Sequence, residues 1–209
     1  RSILFDAKAD YITYGMAEFS NLELANCLRD GKDTADIKGI CYISKENREG
    51  YVDLPSYEEC AKDKDEFANA FREFYRNCDP VTAKGLCQRH GDRYLVQNPP
   101  QRDPTTEELD RIYSSDYENR VHPSFLKDGP VKAADTIKNS ITTHRGCYGG
   151  CNFCAIAVHQ GRRVVSRSED SIIGEVERIS REPGFNGIIY DLGGPTANMY
   201  GIECGKKAE

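Results

Sequence analysis

No stretch of the 209 residues approaches the roughly 20 consecutive apolar positions that a membrane-crossing helix needs. The first residues carry no basic, apolar and small-residue pattern of a secretory leader. Internal repeats and low-complexity tracts are missing too, which sets repeat architectures aside. Positive charge is in deficit: 28 Lys and Arg face 34 Asp and Glu, a net charge of −6, so the field of the whole molecule does not attract nucleic acid. The expectation is a soluble cytoplasmic protein with no membrane partner and no general affinity for nucleic acid. One local basic group, Arg162, Arg163 and Arg167, is read mainly as solvated surface, with a phosphate or carboxylate partner as the alternative.

What is present suffices for a folded core. Apolar residues make up 38% of the chain, with 12 Tyr and 8 Phe, well above the composition of a disordered protein. The length allows one or two domains. Nine cysteines is an odd number, and three of them crowd into residues 147–154. A secreted disulfide framework would spread an even number, so metal ligation in a reducing compartment fits better. The chain opens at Arg1 within an apolar run and closes on Lys206 and Lys207 soon after a glycine-rich turn. Both ends are read as cuts in a longer protein.

Residues 9–15 (ADYITYG) predict a strand and turn, Glu18 to Leu28 a helix closed by Asp30-Gly31, and residues 37–43 (IKGICYI) a second strand. Strand, helix and strand in succession suggest a parallel α/β unit. One helix is predicted from Tyr57 to about Cys78, with Phe67, Ala70, Phe71, Phe74 and Tyr75 as its core-packing face. The prolines between Gln97 and Thr105 predict a linker. A short helix follows from Glu107 to Tyr113, capped by Thr105 or Thr106, and residues 121–131 read as irregular. Further on come a strand at Ser140 to Thr143, a helix capped by Ser168 with Ile172, Ile173, Val176 and Ile179 buried, and a strand at Gly187 to Leu192. This is a β-α-β unit whose functional loops lie at the C-terminal ends of its strands, the face on which βα barrels build their active sites.

Cys147, Cys151 and Cys154 have the spacing Cys-x3-Cys-x2-Cys, and Gly149-Gly150 between the first two is expected to let the loop curl. Three thiolates on a four-iron cluster leave one iron without a protein ligand. The amino and carboxylate groups of S-adenosylmethionine (SAM) could chelate that open iron, and an electron from the cluster could then enter the sulfonium. The spacing also admits a zinc knuckle with His159 or Cys204 as fourth ligand, or an electron-transfer cluster. Both of these would make the chain a non-catalytic metal-binding module.

Residues 143–154 (THRGCYGGCNFC) resemble the radical SAM signature. Together with residues 166–173 (SRSEDSII), 183–185 (PGF), 191–200 (DLGGPTANMY), 1–10 (RSILFDAKAD) and 94–100 (YLVQNPP), they are similar to the YgiQ-type radical SAM family, whose function is largely unassigned. The resemblance spans nearly the whole chain. It implies a [4Fe–4S] cluster on Cys147, Cys151 and Cys154, and SAM bound with Phe153 against its adenine and the Gly193-Gly194 backbone receiving its amino group. A tight turn at Gly193-Gly194-Pro195 is the alternative reading of that glycine pair. Pro195 stands where many radical SAM enzymes have Glu, so the acidic partner is missing.

The implied activity is reductive cleavage of SAM to a 5′-deoxyadenosyl radical acting on an unidentified substrate, with an electron donor such as flavodoxin or ferredoxin. The implied fold is α/β: the end of a Rossmann-like N-terminal domain (1–98), a linker (99–137), and the first β-α-β unit of a partial, TIM-like radical SAM barrel (138–209). No cobalamin is expected, since no Asp-x-His-x-x-Gly motif is present. The catalytic residues are not assigned. Asp191, His144 and His159 are read as packing, capping or solvated residues, and so short a part of a barrel is expected to turn over little SAM by itself.

Overall fold

The computed structural model describes residues 1–202, which form two compact bodies. One comprises Arg1–Asp103 with Gly150–Arg162; the other comprises Pro104–Gly149 with the described residues from Arg163 on.

The first body holds α1 (Ile3–Ala7), β1 (Tyr11–Thr13), α2 (Glu18–Arg29), β2 (Ile40–Ser44), β3 (Val52–Leu54), α3 (Tyr57–Lys62), α4 (Lys64–Arg76), β4 (Leu86–His90) and β5 (Arg93–Gln97). Its five-stranded sheet has the order β1-β2-β5-β4-β3 and is antiparallel except for the β3–β4 pair. Leu4, Ile40, Leu86, Cys87 and Val96 are buried in it.

The predicted strand, helix and strand at the start are all there, but β1 and β2 pair antiparallel, Tyr11 facing Tyr42, so the expected parallel unit is not formed. The return path explains this. Gly39 sits at φ 74° against Ser20 of α2, whose hydroxyl donates to the Lys38 carbonyl at 2.8 Å, and the Tyr14 amide donates to the Gly39 carbonyl at 2.9 Å. The chain is thereby turned to enter β2 beside the end of β1. Hairpin β4–β5 was not anticipated, although Gly91-Asp92 between two five-residue runs is a two-residue hairpin signal.

The single helix expected from Tyr57 is broken at Asp63, which ends α3 and caps α4 by accepting from the Asp65 amide. Of its predicted core face only Ala70 is buried, while Phe67 and Phe71 are 62% and 55% exposed. A side-chain network closes the body elsewhere. Asn98 is buried and donates to the carbonyls of Ala35 and Ile37, both at 2.7 Å, while accepting from Tyr51 Oη at 2.9 Å.

The second body holds α5 (Thr106–Tyr113), a 3₁₀ turn (Pro123–Asp128), α6 (Lys132–Ile137), β6 (Ser140–Thr142) and β7 (His144–Arg145); between β7 and the next strand, α7 (Ile156–His159) lies in the first body. Then come β8 (Val165–Ser166), α8 (Glu169–Ser180) and β9 (Asp191–Gly193). As expected, Thr105 caps α5, in a reciprocal box with Glu108, and Ser168 caps α8 by accepting from the Ser171 amide at 3.1 Å. Caps of this kind each stabilise by about 1 kcal/mol.

Strands β6 and β9 pair parallel with Ser140 facing Asp191 and Thr142 facing Gly193, so β6, α8 and β9 form the expected β-α-β unit. β9 begins four residues later than the sequence suggested. On α8, Ile179 is buried but Ile173 is exposed, so the apolar stripe is covered only in part.

Candidate functional site

The first thiol is held by the strand that precedes it. β7 pairs with β8, His144 facing Ser166, and the chain then turns at Gly146, whose φ is 86°. A Cβ on Gly146 would fall on the Arg163 carbonyl, so the position needs glycine for its backbone angle and for the close approach alike. The left-handed turn therefore lies immediately before Cys147, upstream of the Gly149-Gly150 pair to which sequence reasoning assigned the curl.

Cys147 is buried, and its sulfur accepts two hydrogen bonds, from the Gly149 amide at 3.3 Å and from Thr196 Oγ1 at 3.4 Å. Cys151 is exposed and Cys154 partly so, and the Cys154 amide donates to the Cys151 carbonyl at 3.1 Å. These two belong to the first body and Cys147 to the second. Phe153 between them is 93% exposed. The donor chemistry suits an iron–sulfur cluster: all three thiols are free of disulfides, and the most buried one already sits among hydrogen-bond donors. Among the described residues no three His, Cys, Asp or Glu side chains stand together as a ready-made metal site. His159 is exposed at the end of α7, and Cys204 lies outside the described residues.

Gly193 and Gly194 end β9 and begin the next turn, with the Thr143 amide donating to the Gly193 carbonyl at 2.8 Å. The two glycines differ sharply in surroundings. A Cβ on Gly194 would fall inside the His144 imidazole, whereas one on Gly193 would meet only Asp191 Oδ1 at 3.9 Å. His144 is fully buried, and its Nδ1 is 2.9 Å from Thr143 Oγ1. Burial pushes its pKa down from the usual imidazole value, partly offset by the Ala197 backbone. The packed His144 ring is thus the reason that Gly194 has no side chain.

The basic cluster seen in the sequence separates into different roles. Arg167 is almost fully buried, and its guanidinium donates to the Thr142 carbonyl at 2.9 Å, the Ser171 carbonyl at 3.0 Å, Ser171 Oγ and the carboxylate of Glu175. It also lies 4.3 Å over the Tyr113 ring. It is an internal strut tying β6 to α8, so the reading of Arg167 as solvated surface is overturned. Arg162 lies in the first body with its guanidinium 4.1 Å over the Tyr75 ring.

Sequence reasoning missed Thr196, which reaches Cys147 across 49 positions. Only its place just after Gly193, Gly194 and Pro195 could have drawn attention to it.

An α/β chain with a parallel β-α-β unit and a Cys-x3-Cys-x2-Cys loop leading out of its strands has the local build of a radical SAM protein. Comparison with known proteins agrees: the radical SAM N-terminal family model matches residues 1–140. The UPF0313 protein of Fusobacterium nucleatum is 59% identical over 207 residues, covering 99% of this chain and 36% of the relative. Those of Geobacter sulfurreducens (46% identical, 98% of this chain, 34% of the relative) and Methanocella arvoryzae (43%, 100% and 35%) match over a similar extent. The chain belongs to the UPF0313, or YgiQ-type, radical SAM family. It spans about a third of the length of the curated relatives it matches. Among the described residues no helix is long and apolar enough to cross a membrane.

Proposed function

We propose that the chain carries the cluster-binding part of a radical SAM enzyme, with Cys147, Cys151 and Cys154 as ligands of a [4Fe–4S] cluster. When bound, that cluster supplies the electron that splits SAM into methionine and a 5′-deoxyadenosyl radical. The single observation that carries the reading is the three-thiol loop lying between the paired strand β7 and the Ser168-capped helix α8, in a chain of this family.

The chain's own residues divide the remaining work. Gly146 turns the backbone so that Cys147 is presented from the end of a paired strand. Phe153, almost wholly exposed, offers an aromatic face to the SAM adenine. Gly193 leaves room for the SAM amino group on the side of its missing side chain, where only Asp191 Oδ1 lies within 4 Å. The buried His144 ring packs on Gly194 and supports that turn. In this proposal residues 138–209 open a βα barrel whose remaining strands lie in the further length of the relatives, and the electron comes from a flavodoxin- or ferredoxin-like donor.

Substituting Cys151→Ala tests the reading. Anaerobic reconstitution with iron and sulfide should give cluster absorbance in the unaltered chain and none in the variant. Equal absorbance in the two would overturn the ligand assignment.

A further inference from the structure

The sulfur of Cys147 is met from two directions. The Gly149 amide reaches it from within the same loop at 3.3 Å, and Thr196 Oγ1 reaches it from the turn after β9 at 3.4 Å. That second turn is anchored at several points. The Thr143 amide donates to the Gly193 carbonyl at 2.8 Å, and Gly194 packs on the buried His144 ring. Met199 is buried, Tyr200 Oη donates to the Arg167 carbonyl at 2.9 Å, and the Gly201 amide donates to Ser166 Oγ at 3.0 Å. The Thr196 hydroxyl is thus delivered to the thiol by a loop pinned on both sides of it.

Sulfur is a weak acceptor as a thiol and a much stronger one as a thiolate bound to iron. One-electron reduction of a cluster adds negative charge that spreads onto its sulfurs, so a donor fixed at a ligand sulfur favours the reduced form and raises the potential. We propose that Thr196 is a positioning residue for the cluster: with the Gly149 amide it holds the Cys147 sulfur and makes reduction easier. The inference rests on the proposed cluster ligands and adds a residue that no Cys-x3-Cys-x2-Cys pattern contains. It also gives the turn after β9 two tasks, its glycine backbone facing SAM and its threonine side chain facing the cluster.

The experiment compares the unaltered chain with Thr196→Val, which keeps the shape and loses the donor, and Thr196→Ser, which keeps the donor. Each is reconstituted anaerobically with iron and sulfide, assayed for iron, and titrated potentiometrically with dithionite while the electron paramagnetic resonance of the reduced cluster is recorded. For Thr196→Val the ratio of reduced to oxidised cluster at a fixed potential should fall about tenfold, a shift of about 59 mV for a one-electron couple. Thr196→Ser should stay near the unaltered chain. A merely structural threonine would change the amount of cluster and leave its potential alone.

Equal potentials for Thr196→Val and the unaltered chain, at equal iron content, overturn the inference and leave the proposed function standing. No cluster in the unaltered chain overturns both. Should Thr196→Val fail to fold, resonance Raman spectra of the unaltered protein in H₂O and D₂O decide. A deuterium shift in the iron–cysteine sulfur bands supports the two donors, and its absence overturns them.

Discussion

Replacing Arg167 by Met removes the guanidinium and leaves an unbranched stem to rest on Tyr113. The residue's side chain is 1% exposed and that of its partner Glu175 is 12% exposed, so neither charge can be rescued by water in place. Breaking a buried ion pair by removing one partner costs about 3–5 kcal/mol where the other charge is left uncompensated; here Arg178, 3.7 Å from Glu175 and 38% exposed, offsets part of that and points to the lower end. The Thr142 and Ser171 carbonyls lose donors at 2.9 and 3.0 Å as well, which keeps the expected loss within that range, at about 3 kcal/mol. Domains are stable by roughly 5–15 kcal/mol, so the second body would lose a large part of its margin.

Arg181→Met is the control. Arg181 pairs with Glu177 at 3.1 Å, but the two side chains are 77% and 59% exposed, and such a pair contributes about 0.5 kcal/mol. The assay is urea unfolding followed by far-ultraviolet circular dichroism, with hydrogen exchange of the Ile141 and Thr142 amides reporting on β6. Arg167→Lys should lose about half as much as Arg167→Met, since an ammonium cannot span four acceptors as a planar fork does. A loss for Arg167→Met no larger than for Arg181→Met would refute the assignment of Arg167 as the strut between β6 and α8.

Three further outcomes are expected. Gly194→Ala should destabilise the second body by about 1–3 kcal/mol, as overpacking against His144 does in a full core; Gly193→Ala should unfold at the temperature of the unaltered chain, and a matching loss there would contradict the difference drawn between the two glycines. Asn98→Ala should cost about 3 kcal/mol in urea unfolding of the first body, because the Ala35 and Ile37 carbonyls lose their buried donor; an effect below about 1 kcal/mol would mean that water replaces the amide. Burial lowers the pKa of both His90 and His144 below the ordinary value near 6.5. As pH falls through 6.5 the unfolded chain binds protons that the folded chain refuses, so the urea midpoint should be level above pH 7 and should drop as pH falls towards 5. A midpoint that holds steady or rises over that interval would show that these imidazoles protonate as readily in the folded protein.

Much of the candidate site was legible because its signals are local. The cysteine spacing, the Ser168 cap and the glycines after β9 each occupy a few consecutive residues, and Ser168 and Thr105 make their capping bonds with neighbours three positions away. Arg167 was misread because a guanidinium in a polar stretch looks solvated until Glu175, Thr142 and Tyr113 converge on it. Phe67 and Phe71 failed in the opposite sense: apolar spacing on α4 marks a face but does not say what covers it. Thr196 was invisible for the same reason as Arg167, since its partner is remote in the chain.

By itself, the sequence determined that β1, α2, β2, α5, β6 and α8 form, how α5 and α8 are capped, and the spacing of the three thiols, because these follow from side-chain chemistry within one or two turns of chain. Tertiary structure alone decided that β1 and β2 run antiparallel, that Gly146 makes the turn into the loop, that Gly194 is glycine on account of His144, and that Arg167 is internal. Each of those depends on contacts between residues distant in the chain. Such a contact acquires its energy only when packing removes water from both partners at once, and no window of sequence contains both.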